Sequence, residues 1–134
     1  MDSSVHAAAE RGLSPTAAIS NQMVRLLSKY VGRGPTRART TLSGNVVLVT
    51  MADTMTRAER NLVAAGEGEA VRAMRQTLQR SMREEAVAAV ETILSQPVIA
   101  YMADIDTEAN ITIAAFVLRP LASPANLESV VDDD

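Results

Sequence analysis

The sequence predicts an α+β fold of two layers: a four-stranded, mostly antiparallel sheet with helices on one face, in the order α-β-β-α-α-β-β. Three observations carry that expectation. Apolar residues recur at spacings of three and four in separate segments, which is the helical period. Four strand-like runs fall into two pairs, each closed by a polar turn. The segments follow one another as helix, hairpin, helix, long helix, hairpin, and the natural assembly of that order is two hairpins side by side under a helical layer. The helix-then-hairpin unit occurs twice without a matching sequence period, so it is an architectural echo and not a repeat.

The elements follow in chain order. Residues 1–14 lack periodicity and read as a flexible N-terminal tail, followed by a single domain over 15–120. The first helix begins at Pro15 with Ser14 as its N-cap. Ile19, Met23, Leu26, Leu27 and Tyr30 form its apolar stripe, and Gly32 is placed to end it in a left-handed conformation. Pro35 prevents the helix from resuming. "TRARTTL" and "NVVLVTM" read as a hairpin around Ser43-Gly44-Asn45. The second of these runs is apolar on both faces, which predicts a central strand covered twice. Thr56 and Glu59 have capping-box spacing, and Gly66 ends that short second helix. A long third helix runs from about Glu67 to about Ser95. Its expected core stripe is Val71, Met74, Leu78, Met82, Ala86, Val90 and Ile93, with Arg72, Arg75, Gln79 and Arg83 towards the other side. Pro97 closes it. "VIAYMADI" and "ITIAAFVL" make the second hairpin around "DTEAN". Residues 121–134 read as an acidic, flexible C-terminal tail.

Composition narrows the chemistry. The 134 residues fit one domain, and hydrophobic residues at 47% predict a globular chain. Aromatics are only 2%, so the core is aliphatic and base-stacking platforms are missing. The net charge of −3 gives no overall attraction to nucleic acid or acidic lipid. There is no cysteine, which excludes disulfides, thiolate catalysis and zinc–sulfur sites and suits a reducing, cytoplasmic compartment. "MDSSVHAAAERGLSP" lacks a basic start followed by an apolar run, so no secretory signal is expected. No apolar run approaches the ~20 residues of a membrane span, so direct membrane insertion is not expected.

Few residues offer catalytic chemistry. The lone histidine, His6, lies in the N-terminal tail, where solvation is its ordinary state, and this removes His-dependent nucleophilic machinery. Asp104, Asp106 and Glu108 alternate as in the start of a calcium loop, but the required glycine and distant closing glutamate are missing, so a solvated hairpin turn is the better reading and no metal or other cofactor is expected. Arg83, Glu84, Glu85 and Glu91 read as a charged outer helix face.

"GRGPTRAR" is the strongest local candidate. Gly32, Gly34 and Pro35 punctuate the turn, and Arg33, Arg37 and Arg39 surround it with charge. Backbone N–H groups in such a turn cradle anions, and arginine supplies paired donors. Against this, Pro35 has no N–H and the turn faces the negative end of a helix dipole. The glycines are explained by helix capping; the arginines are not. Alternation along a strand predicts that Arg37 and Arg39 project together, facing either a protein acid (Glu59, Glu84 or Glu85) or an external anion.

These same residues carry a family likeness. From about Ala18 to Pro120 the chain resembles the small MpsC-type domain, most specifically in "GRGPTRAR", "TRAERNL", "MREE" and the aspartate after the third strand. The family is named for a third component of a sodium-translocating, membrane-potential-generating system. The partners of that component resemble a proton-pump antiporter subunit and a large soluble inorganic-carbon protein. The resemblance implies an accessory role beside such a system or in inorganic carbon transport, and it carries over no catalytic residue.

Three functions compete. The leading expectation is a non-enzymatic accessory or regulatory protein, a homodimer that covers its exposed apolar strand or long-helix surface. The alternative is a small-anion or phosphate-ligand sensor using Arg33, Arg37 and Arg39. Well behind stands an enzyme using Asp104 with Glu84 or Glu85.

Overall fold

The structure, a computed structural model, describes residues 12–120. Helix α1 (Pro15–Val31) starts where the Ser14 side chain accepts a hydrogen bond from the Ala17 N–H, with proline in its first turn. It ends at Gly32, whose φ of 92° is left-handed and whose N–H donates to the Ser28 carbonyl at 2.9 Å. A Cβ at this position would meet nothing within 4 Å, so only the backbone conformation selects glycine. Gly32→Ala is therefore expected to cost about 1 kcal/mol in urea unfolding, and an unchanged midpoint would show that the residue has no left-handed requirement. Gly34 is glycine for a different reason: a Cβ there would lie 2.7 Å from the Ser28 hydroxyl oxygen.

Strands β1 (Arg37–Ser43) and β2 (Val46–Ala52) form an antiparallel hairpin whose turn is Gly44-Asn45, with Gly44 at φ 59°. Helix α2 (Arg57–Ala64) opens on the expected capping box: the Thr56 hydroxyl accepts from the Glu59 N–H, and the Glu59 carboxylate accepts from the Thr56 N–H. Helix α3 (Gly68–Leu94) is closed by Ser95 in the left-handed region, two residues before Pro97. Strands β3 (Val98–Asp106) and β4 (Ile111–Leu118) make the second hairpin. The sheet is wholly antiparallel in the order β1-β2-β4-β3, so each hairpin supplies one central and one edge strand. The expected α+β order is the one observed.

The larger of two hydrophobic clusters holds the layers together. Ile19, Met23 and Leu27 of α1 and Met82, Ala86 and Val90 of α3 pack on Val47, Val49, Ala114 and Phe116 of the sheet. Each inner strand residue is buried while its neighbour points away, which is the period-two consequence of the pleat. This corrects the expectation that β2 is covered on both faces. Val47, Val49 and Met51 are buried, but Leu48 and Thr50 are exposed, because both long helices lie on the same side.

The core stripe of α3 also differs from expectation. Its buried residues are Val71, Arg75, Gln79, Met82, Ala86 and Val90, whereas Met74 is 45% exposed. The helix is turned so that a polar pair, and not Met74, meets the neighbouring elements. Of the expected tails, residues 1–11, with His6, and 121–134 lie outside the described residues, while Ser14 belongs to the first helix as its cap.

Candidate functional site

The β2–α2 connection, Asp53 to Thr56, gathers most of the interior polar contacts. Asp53 has φ 59° and Asn110, in the β3–β4 turn, has φ 56°. The Asn110 side-chain oxygen accepts from the N–H groups of Thr54 and Met55 at 2.9 and 3.0 Å, and its amide nitrogen donates to Asp53 at 3.1 Å. The Thr54 carbonyl accepts from Arg75 at 2.6 Å. Arg75 is 1% exposed and holds the Glu59 carboxylate through Nε at 2.7 Å and Nη2 at 2.9 Å. Burial pushes the Glu59 carboxyl up, but the hydrogen bonds from Arg75 and the Thr56 N–H outweigh that and hold it below the ordinary carboxylate value of 4.5. Among the described residues no buried side-chain polar atom lacks a partner. This closed network is a clasp between the two hairpins, α2 and α3.

The clasp takes one member of the sequence-predicted arginine set. Arg33 donates to the Asp53 carboxylate at 3.2 Å and to the Met55 carbonyl at 3.3 Å. It ties the glycine turn to the β2–α2 connection. Arg37 and Arg39 project together, as strand alternation predicts, and both are exposed. Among the described residues no hydrogen bond or ion pair joins either of them to an acid. Glu59 is held by Arg75, and Glu85 accepts from Tyr30 and Lys29. Hydrogen bonds from Tyr30 and then Lys29 depress the Glu85 carboxyl below its ordinary value.

The carboxylates of the second hairpin have their own partners. Asp104 accepts both Nε and Nη2 of Arg72, at 3.1 and 2.7 Å, and these bonds lower its pKa. Asp106 accepts from the N–H groups of Glu108 and Ala109, which shapes the hairpin turn. Asp104 and Glu85 are thus engaged with different partners. Among the described residues no group of three or more His, Cys, Asp or Glu side chains is placed to hold a metal ion. An open groove of about 470 Å³ runs beside Asp104, Asp106 and Glu108 and is floored partly by Ile111 and Ile113.

Strand register brings these separate features onto one surface. Arg37 lies opposite Ala52, Ala52 opposite Ile111, and Ile111 opposite Asp106. The next outward row runs Arg39, Thr50, Ile113, Asp104. A third runs Thr41, Leu48, Ala115, Met102. In its first two rows the face of the sheet turned away from the helices is therefore basic on β1 and acidic on β3, with Thr50 the one polar residue between them on β2 and β4. Leu48, Ile113 and Met102 are 38%, 43% and 59% exposed on it. The two ends of each row lie more than 60 positions apart in the chain, which no local motif announces. The alternation of Arg37 with Arg39 and of Asp104 with Asp106 is visible in sequence, but their common face is not.

A family model described as the Na+-translocating membrane potential-generating system (MpsC) matches residues 14–120. No curated protein matches the chain. No solved structure matches it.

Proposed function

The chain belongs to the MpsC family, and from that premise we propose that it serves a membrane-potential-generating system as a non-enzymatic accessory or regulatory protein, acting from the cytoplasm through protein contacts. The observation that carries the reading is the family match across residues 14–120, nearly the whole described fold. Two structural features support it. No helix among the described residues is long and apolar enough to cross a membrane, so the chain would join such a system by docking. The open sheet face, apolar in its centre and charged at its borders, offers a surface for contact.

Membrane vesicles from cells lacking this chain should develop a smaller Na+-dependent potential, restored when the chain is supplied again. A potential that is the same with and without the chain would end this reading. Bicarbonate uptake in the same cells tests the related setting of inorganic carbon transport.

A second reading, the binding of a small anion, is favoured by one observation: Arg37 and Arg39 share an exposed face, and among the described residues no acid is joined to them. Arg33 is not available to it in this structure, being held by Asp53. Calorimetric titration at low salt, with phosphate and with bicarbonate, should then give heat that Arg37→Ala with Arg39→Ala abolishes. Absence of heat from the wild type removes the anion.

A further inference from the structure

An antiparallel sheet with one face in water normally alternates apolar inward with polar outward residues. The two middle strands break that rule. Of their eight outward positions in register, Thr50 alone is polar. Such a face lowers its free energy when it is covered. The charges at its borders say what fits. One edge carries Arg37 and Arg39, and the other carries Asp104 and Asp106 in the same two rows.

We propose that this face is the interface of a homodimer, in which two copies pack sheet to sheet about a two-fold axis parallel to the strands. That operation lays β1 of one copy over β3 of its partner while keeping the position along the strand. The arginine rows then meet the aspartate rows twice, once at each border, and Leu48 and Ile113 of both copies meet in the middle. A two-fold axis perpendicular to the strands and parallel to the sheets would set β1 over β1 running the opposite way, so that Arg37 and Arg39 would face Ser43 and Thr41 and meet no acid, and charge therefore favours the first stacking. Arg72 already neutralises part of Asp104, but Glu69, Asp106 and Glu108 stand around the same groove, so that border stays acidic. Aligned sheet packing of this kind is a standard solution for two twisted sheets. The interface is self-complementary, as two-fold symmetry demands.

Size sets the expected strength. Four strands abreast, the two shorter ones seven residues long, share a face about 20 by 23 Å. That is at the small end of specific interfaces. The dimer should accordingly be in measurable, salt-sensitive equilibrium with the monomer. This inference stands apart from the accessory role, since it concerns the chain alone and is read without any membrane system.

The test is sedimentation velocity on the full chain over a range of concentrations, with circular dichroism as the check on folding. The wild type should reach twice its 14.3 kDa mass as concentration rises. Arg37→Glu with Arg39→Glu should weaken association roughly 100-fold, because two acidic borders then face each other. Asp104→Lys with Asp106→Lys should do the same. An equimolar mixture of the two variants should form a heterodimer, since each basic border again meets an acidic one. If the aspartate variant fails to fold, because Asp106 shapes its hairpin turn, Leu48→Lys takes its place and should also give monomer. A wild type that remains monomeric at every concentration overturns the proposal. So does a dimer that survives both the arginine reversal and Leu48→Lys, since it would use another surface.

Discussion

Replacing Arg75 by methionine should destabilise the fold by about 3–5 kcal/mol, the usual cost of leaving a buried charge without its partner. Arg75 and Glu59 have side chains 1% and 5% exposed, so water cannot take over the lost bonds. The Thr54 carbonyl would lose its donor in the same step. Urea unfolding of Arg75→Met, Glu59→Gln and the double variant measures the coupling. The double variant should lose clearly less than the sum of the single losses, because it leaves no uncompensated charge. Simple additivity would show that the pair is not coupled. The pair also predicts an acid limit. The Glu59 carboxyl is held below 4.5 in the folded state, so its contribution is complete above that value. It is lost as pH falls through the lower folded value. The wild type should therefore weaken below about pH 4.5, and the double variant should lack that component.

Asn110→Ala should cost about 2–4 kcal/mol. Two effects add. Alanine at φ 56° sits in the left-handed region, where asparagine is tolerated and alanine is strained. The Thr54 and Met55 N–H groups also lose their shared acceptor in a part-buried position. Asn110→Gly separates the effects, since glycine accepts the backbone conformation but cannot replace the acceptor. It should recover only the strain, about 1 kcal/mol. A glycine variant as stable as the wild type would mean that water serves those two N–H groups as well as asparagine does.

Ser14, Gly32, Thr56 with Glu59, and the two hairpin turns act over a few residues, through caps and turns whose chemistry is local. They appear in the structure with the roles their spacing implies. The α3 stripe misled because two helical stripes converge on Met82. One, through Met74 and Leu78, is more apolar. The other, through Arg75 and Gln79, is the one buried, because Glu59 waits opposite it. Arginine and glutamine recurring four residues apart between Val71 and Met82 was the available signal, but its meaning depended on a glutamate already accounted for by its capping box.

The sequence by itself determined the order of elements, their ends and the aliphatic core, because helical and strand periods and turn residues are properties of adjacent positions. It also determined that Arg37 and Arg39 would share a face. Only the tertiary structure decided that β2 is covered on one face alone, so that Leu48 and Ile113 stay open to solvent. Only the tertiary structure placed β1 and β3 at opposite edges, in a register that aligns two arginines with two aspartates across an apolar centre. The reason is physical: strand order and register are chosen by which inner faces pack together under the helices, and the outer face receives whatever those long-range pairings carry with them.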